Sequence, residues 1–158
     1  MMFGFVHNRE AIVQFAVIDN QQKKQVIRAV IDTGFTGSLT LPLTLIADLE
    51  LTWFTQQEGF LGDGSRRTFD VYPGTVIWDG QLRVIEINAS DTAPLVGMAL
   101  LEGFELRIQA YEGALWQFCR SRSWWKFVEA RSNNPNEHRP SRAYLSMFKA
   151  FCGGDKQR

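Results

Sequence analysis

The stretch Ala29-Val30-Ile31-Asp32-Thr33-Gly34-Phe35-Thr36-Gly37 decides the fold that this chain is expected to adopt. An apolar run rich in β-branched residues, at positions 25–31, predicts a buried strand that delivers a carboxylate straight into a tight polar turn. Burying the Asp32 carboxylate there costs free energy unless it is paired or hydrogen-bonded, and that cost is tolerated mostly where the charge is used. Asp32 is therefore a candidate catalytic residue. An ordinary turn aspartate that accepts backbone N–H groups is the alternative, because Asp-Thr-Gly is a short pattern.

The chain around this turn is predicted to be mainly β-structure with one or two short helices. Short runs of apolar and β-branched residues bounded by turn residues are typical of strands, and apolar residues at helical spacing after Pro42 are typical of a short helix. Hairpin turns are expected at Asp19-Asn20, Gly62-Asp63-Gly64-Ser65 and Asp79-Gly80. Strands are predicted at residues 11–18, 25–31, 38–41, 57–61, 67–72, 75–78, 82–87, 94–97 and 104–110, and helices within residues 42–51 and at 98–102.

A second motif of two apolar residues and a glycine lies late in the chain, at Leu95-Val96-Gly97, directly before the second predicted helix. Together with the apolar-apolar-Asp-Thr-Gly motif at residues 30–34 and the glycine-rich hairpin at Gly62-Asp63-Gly64, it resembles the retropepsin-like (clan AA) aspartic protease family, the single-lobe relatives of pepsin. The three features stand in the family's order and rough spacing across residues 10–112. The sequence is most similar to the small prokaryotic members, in which Asp-Thr-Gly-Phe-x-Gly replaces the viral Asp-Thr-Gly-Ala or Asp-Thr-Gly-Ser.

The resemblance implies a mainly β, closed-barrel-like acid protease fold over residues 1–115 and endopeptidase activity without a cofactor or metal. Peptide hydrolysis of this kind needs one group to take a proton from water and another to protonate the carbonyl oxygen. Two neighbouring carboxylates can do both, because like charges at close range share one proton. The chain holds one Asp-Thr-Gly. The resemblance therefore implies a homodimer, with Asp32 and its symmetry mate at a two-fold axis.

The resemblance also implies roles for the residues beside Asp32. Thr33 would hydrogen-bond across the axis, Gly34 would let the backbone of a peptide or protein substrate approach, and the hairpin at Gly62, Asp63 and Gly64 would close over it. A plain turn hydroxyl remains the alternative for Thr33, and a turn role is the simpler interpretation of Asp63. Phe35 stands where many family members carry Ser or Ala, and a phenyl ring cannot donate a hydrogen bond to the carboxylate as a serine can.

Charge is distributed unevenly, although 17 basic and 17 acidic side chains cancel over the 158 residues. Residues 1–118 hold 8 basic and 14 acidic side chains, and residues 119–158 hold 9 basic and 3 acidic ones. Residues 116–158 are predicted to form a basic C-terminal extension unlike the family. It could be a loosely attached appendage, or it could pack on the dimer and regulate it as a propeptide does. Contact with nucleic acid, through arginines near Trp124, Trp125 and Tyr144, is the least favoured possibility.

Composition excludes several other classes of protein. No apolar run approaches the length of a membrane span, so we expect a soluble, cytoplasmic protein that does not bind membranes. Cys119 and Cys152 are expected to be free thiols, because they lack metal-ligand spacing and a secreted disulfide scaffold usually has more cysteines. His7 and His138 are expected at the surface, with no metal to bind.

A second function from another class remains open. The chain could be a catalytically silent member of the same fold that binds peptides or dimerises. A chain that stays monomeric would favour that alternative, since one copy supplies a single Asp-Thr-Gly. Other enzyme classes are disfavoured, because the sequence offers no phosphate-binding glycine loop, no Ser-His-Asp arrangement and no metal cluster.

Overall fold

The computed structural model describes residues 2–60, 62 and 64–120, without the side chains of residues 119 and 120. Ten strands and two short helices lie in this part of the chain. The mainly β prediction with two short helices is confirmed. The strands are β1 (Met2–His7), β2 (Glu10–Ile18), β3 (Lys24–Ile31), β4 (Leu39–Pro42), β5 (Thr55–Phe60), β6 (Arg66–Trp78), β7 (Gln81–Ser90), β8 (Leu95–Val96), β9 (Phe104–Arg107) and β10 (Leu115–Arg120), and the helices are α1 (Leu43–Asp48) and α2 (Met98–Leu101).

Six of these strands close into a ring, which confirms the closed-barrel prediction. Their order is β2-β3-β8-β4-β7-β6, and β6 pairs again with β2 over Ala16↔Ile77 to Ile18↔Thr75. The antiparallel hairpins follow local turn signals, whereas the pairings β3–β8 and β4–β7 are parallel and join distant parts of the chain. On one side of the ring the sheet continues from β2 through β1 and β10 to β9, and on the other side β6 pairs with β5.

The hydrophobic core combines alternating side chains of the strands with apolar residues of the two helices. Trp78, 0% exposed, lies in it, with its ring centroid 5.2 Å from that of Phe15 and 5.1 Å from that of Phe118. The other core residues are Val6, Val13, Val17, Ile27, Ala29, Leu39, Leu41, Ile46, Leu49, Val76, Ile87, Val96, Leu100, Leu101, Ala114 and Trp116. The apolar residues around the Asp32 turn therefore belong to the same core as the rest of the sheet.

Local turn chemistry fixes the two hairpins that the sequence predicted most directly. The Asp19 carboxylate, 8% exposed, accepts hydrogen bonds at Oδ1 from the backbone N–H groups of Gln21 (2.9 Å) and Lys23 (2.8 Å), which closes the β2–β3 turn. Asp79 and Gly80 both have positive φ, 51° and 75°, as a two-residue turn between right-twisted strands requires. Both predicted hairpins are confirmed.

One strand is longer than predicted. Residues 67–72 and 75–78, predicted as separate strands interrupted at Pro73-Gly74, belong to the single strand β6. Its pairing with β5 ends at Val71 and its pairing with β2 begins at Thr75, so one side of β6 is unpaired at Pro73 and the missing N–H costs little. A Cβ on Gly74 would overlap the Ile87 side chain, so glycine suits this position through packing.

The sheet also continues past the predicted domain boundary. The sequence prediction ended the domain at residue 115 and began the extension at 116, but β10 spans Leu115–Arg120 and pairs with both β1 and β9. The reason is a two-residue alternation, in which Trp116 (2% exposed) and Phe118 (0%) face the core while Leu115 (73%) faces out. Met1–Arg120 forms one compact unit. The rest of the predicted extension, residues 121–158, lies outside the described residues.

Candidate active site

The Asp32 turn is held by the backbone on both of its sides. The Asp32 N–H donates to Val96 O (2.9 Å), and the Phe35 N–H donates back to Asp32 O (3.2 Å). The half-buried Asp32 carboxylate accepts one hydrogen bond at Oδ1 from the Gly34 N–H, at 2.9 Å. The turn thus has the feature expected of an ordinary turn aspartate. It also presents the carboxylate at the end of β3, which is not the buried strand that the sequence predicted, because only Ile27 and Ala29 of β3 are buried while Val26 is 73% exposed.

The two sequence motifs lie side by side. Strand β8 runs parallel to β3, with Val30↔Leu95 and Ile31↔Val96 in register, and antiparallel to β4 on its other edge. The structure therefore brings Asp32, Thr33 and Gly34 next to Leu95, Val96 and Gly97, although the motifs are far apart in the chain. The loop residues Thr33 and Gly34 are thus accessible at the surface, whereas Val96 and Gly97 of the second motif lie buried in the interior.

Gly97 lies where no larger residue fits. A Cβ at this position would be 2.6 Å from Phe35 O and closer still to Gly37 O and Phe35 Cδ1. The Gly97 N–H donates to Ser38 O at 3.0 Å, so the backbone of the second motif contacts the loop directly. The apolar-apolar-Gly pattern at Leu95-Val96-Gly97 has a packing cause here, because close approach of two backbone segments requires glycine.

The loop after Asp32 also caps helix α2. The N–H of Met98 donates to Phe35 O (2.8 Å) and the N–H of Ala99 donates to Gly37 O (3.1 Å), while no side chain caps this helix. The first N–H groups of a helix lack partners within the helix, and here the loop carbonyls supply them. The carboxylate loop, β8 and α2 thus form one hydrogen-bonded unit.

The Asp32 carboxylate has few polar contacts among the residues that the structure describes. Among the residues that the structure describes, Asp32 has no ion-pair partner, and its one hydrogen bond to the carboxylate comes from the Gly34 amide. The carboxylate is therefore held in direction by a single backbone amide. Its other oxygen, Oδ2, accepts no hydrogen bond from the described residues.

The hairpin predicted to cover the site forms between β5 and β6. The two strands pair from Thr55↔Val71 to Phe60↔Arg66, and Gly64 has a φ of 82°, which glycine adopts without strain. Gly62 and Gly64 are exposed, and within the described residues no hydrogen bond joins either of them to the Asp32 loop. Asp63, the third predicted hairpin residue, lies outside the described residues.

Two polar side chains near these elements, Thr40 and Asp70, were not predicted as functional or structural residues. Thr40, only 6% exposed, accepts a hydrogen bond at Oγ1 from the Leu95 N–H (3.0 Å), which ties β4 to β8. At the base of the hairpin, the side chains of Gln56 (2.9 Å) and Trp53 (3.0 Å) both donate to Asp70 Oδ1, and these hydrogen bonds lower the pKa of Asp70. Both contacts join residues distant in sequence, so local patterns could not reveal them.

Other predicted features can be placed within the described part of the chain. His7 is exposed as predicted, and its Nδ1 lies 2.8 Å from Glu112 Oε1, an acidic neighbour that sequence spacing did not suggest. No group of three or more His, Cys, Asp or Glu side chains among those residues could hold a metal ion. None of the helices described is long and apolar enough to cross a membrane. His138 and Cys152 lie outside the described residues, as does the side chain of Cys119.

Comparison with known proteins finds similarity at the level of solved structures. The chain is similar to the EIAV protease in complex with the inhibitor HBY-793, at 19% identity and a TM-score of 0.45 over 61% of this chain and 91% of that one. It is also similar to a retropepsin-like aspartic protease from Rickettsia conorii, at 16% identity and a TM-score of 0.48 over 73% of this chain and 85% of that one. No family model matches the sequence, and no curated protein matches it.

Proposed function

We propose that this chain is an aspartic endopeptidase, active as a homodimer in which the Asp32 carboxylates of two copies share one water molecule. The observation that carries the proposal is the joining of the two motifs. Asp32 is hydrogen-bonded to Val96 of β8, and the carbonyls of Phe35 and Gly37 accept hydrogen bonds from the first residues of α2, so that the loop with the half-buried carboxylate is joined to the second motif.

The chemistry follows from the pairing of two carboxylates. At close range one of them stays protonated, because two negative charges side by side repel each other. The ionised carboxylate takes a proton from water, whose oxygen attacks the peptide carbonyl carbon, while the protonated carboxyl group donates to the carbonyl oxygen. Collapse of the resulting tetrahedral species breaks the C–N bond. The leaving amine takes the proton that the first carboxylate removed from water, and the second carboxylate recovers its proton from a hydroxyl of the tetrahedral species. No metal or cofactor takes part in this scheme.

The residues beside Asp32 have supporting roles in this proposal. Thr33 is exposed next to the carboxylate, where its hydroxyl can hydrogen-bond to the second copy across the two-fold axis. Gly34 is exposed and has no side chain, so an extended peptide can come close to the carboxylate. The hairpin with Gly62, Asp63 and Gly64 at its tip closes over that peptide.

The test is the substitution Asp32→Asn, with Asp48→Asn as the matched control. Asp48 is an exposed aspartate at the end of α1, and its backbone carbonyl accepts a hydrogen bond from Gln25, near the start of β3, whereas Asp32 follows the other end of that strand. Cleavage of a fluorescently labelled unfolded protein would be measured from acidic to neutral pH. We expect Asp32→Asn to lower the cleavage rate by roughly 10²-fold or more, since an amide cannot exchange the required proton. Asp48→Asn should cleave at the wild-type rate.

Retained cleavage in the Asp32→Asn variant would contradict the proposal. Sedimentation velocity on the same samples measures the oligomeric state. A wild-type chain that is monomeric at all concentrations and cleaves nothing would instead favour the second candidate, a catalytically silent module of the same fold. The presence of Phe35, which cannot donate a hydrogen bond to the carboxylate, is the feature of this chain that favours that candidate.

A further inference from the structure

The ring of Phe35 lies in a slot between two glycines of the candidate active site. A Cβ on Gly37 would be 2.7 Å from Phe35 Cε2 and closer still to Cζ, and a Cβ on Gly97 would overlap Phe35 Cδ1. Cβ atoms essentially never come within 3.0 Å of a heavy atom outside their own residue and its two chain neighbours, so each glycine leaves room for one face or edge of the ring. Neither glycine has a positive φ, so conformational freedom does not explain why glycine occurs at both positions.

The backbone of Phe35 connects the same parts of the site. Its N–H donates to Asp32 O at 3.2 Å and its carbonyl accepts from the Met98 N–H at 2.8 Å. Phe35 is therefore bonded on one side to the carboxylate residue and on the other to the first residue of α2. A movement of the ring out of its slot would shift both bonds together.

The carboxylate depends on this geometry because little else holds it. Among the described residues, the Gly34 N–H is its one hydrogen-bond donor, and Gly34 is exposed. The Gly34 amide points at Asp32 Oδ1 only while the turn from Asp32 to Phe35 keeps its shape. The Phe35 ring lies at the far end of that turn and packs against Gly37 and Gly97.

We propose that Phe35 is the positioning residue of the Asp32 carboxylate, with Gly37 and Gly97 as the seat of its ring. Packing of the ring replaces the hydrogen bond that a hydroxyl residue at this position would give. The consequence for catalysis rests on the proposed endopeptidase function, whereas the seating of the ring and the shape of the turn do not.

The seat is tested by a double-mutant cycle of Phe35→Ala and Gly37→Ala, read by thermal unfolding. The new methyl group of Gly37→Ala overlaps only atoms of the Phe35 ring. We therefore expect Gly37→Ala to lower Tm in the wild-type background and to lower it much less, or not at all, in the Phe35→Ala background. Interacting neighbours show such non-additivity, whereas independent sites do not.

Gly97→Ala is the matched control for this cycle. Its new methyl group overlaps the backbone carbonyls of Gly37 and Phe35 as well as the ring. Removing the ring leaves those backbone overlaps in place, so Phe35→Ala should not rescue Gly97→Ala. If Gly37→Ala lowers Tm equally in the wild-type and Phe35→Ala backgrounds, the proposal that the Phe35 ring packs against Gly37 is refuted.

The positioning of the Asp32 carboxylate by Phe35 is tested by amide hydrogen exchange at Gly34, a measurement that does not require the protein to be an active enzyme. We expect Phe35→Ala to speed exchange of the Gly34 amide by about tenfold or more, while exchange in the β6–β7 pairing stays close to wild type. Phe35→Leu, which keeps an apolar side chain in the slot, should restore part of the protection. Unchanged exchange at Gly34 in Phe35→Ala would refute the positioning role, as would equal acceleration throughout the sheet.

The kinetic readout separates this proposal from the proposed function. With the labelled unfolded protein as substrate, Phe35→Ala should lower kcat by about tenfold or more and leave KM nearly unchanged, because a small misplacement of a reacting group slows chemistry more than binding. A loss confined to KM would contradict positioning. If the wild-type chain cleaves nothing, the endopeptidase proposal fails, and the exchange at Gly34 still decides the role of Phe35.

Discussion

Thr40 offers a direct test of how β8 is held beside Asp32. Its hydroxyl oxygen accepts the Leu95 N–H at 3.0 Å, and the residue is 6% exposed, so water cannot easily replace it. The perturbation is Thr40→Ala, compared with Thr40→Ser. Both variants lose the same methyl group, and only the alanine variant loses the acceptor.

The difference between the two variants therefore isolates the hydrogen bond. Leaving a buried donor without a partner costs about 1–3 kcal/mol. The compact unit Met1–Arg120 has an unfolding entropy of about 0.25 kcal/mol/K, from about 2.1 cal/mol/K per residue. We expect Thr40→Ala to melt about 4–12 °C below Thr40→Ser at equal pH and salt.

The assay is thermal unfolding followed by tryptophan fluorescence, with amide hydrogen exchange at Leu95 as a local readout. Exchange at Leu95 should be faster in Thr40→Ala and close to wild type in Thr40→Ser. Melting temperatures that agree to within about 1 °C, far below the expected gap, would refute the argument that this side chain anchors β8.

Two further predictions concern the hairpin base and the core. Because hydrogen bonds from Gln56 and Trp53 lower the pKa of Asp70 below its ordinary value of 3.8, its stabilising contribution is present above that value and is lost as pH falls through the lowered pKa. Urea unfolding should therefore show the stability gap between wild type and Asp70→Asn shrinking on acidification, and a pH-independent gap would contradict this cause. Trp78 Nε1 is buried and lacks a hydrogen-bond partner among the described residues, whereas Trp116 Nε1 donates to a backbone carbonyl of β1 at 3.1 Å. Trp78→Phe should accordingly cost less unfolding free energy than Trp116→Phe, by about 1 kcal/mol or more, and the reverse order in urea denaturation would count against it.

Features with a local cause were predictable from the sequence. The turn at Asp79-Gly80 needs positive φ at both residues, and that requirement leaves a signature two residues long. The strand into Asp32 was recognisable because its residues are β-branched and apolar, and Asp32 stood out because a carboxylate follows them directly. Each of these inferences uses only residues that are neighbours in the chain.

Features that depend on distant pairing were not predictable. The parallel pairing of β4 with β7, over Leu39↔Ile87 to Pro42↔Ser90, leaves no local trace, because apolar strands pair with many partners equally well. The same holds for β10, whose alternation of Trp116 and Phe118 was visible in the sequence but lacked a recognisable partner until β1 and β9 were placed beside it. The Phe35 slot likewise exists only once Gly97 has been brought next to Gly37.

Strand β8 holds both the candidate active site and the six-stranded ring, and this links stability to function. Strand β8 has two residues, yet it joins β3 to β4 and so closes the six-stranded ring. The same residues accept the Asp32 N–H at Val96 O and donate the Leu95 N–H to Thr40. A substitution that loosens β8 therefore weakens the six-stranded ring and also shifts the loop that carries Asp32. Phe35→Ala and Gly37→Ala change residues of the loop and none of β3 or β8, so they should separate from substitutions that loosen β8 when unfolding and Gly34 exchange are measured on the same variants.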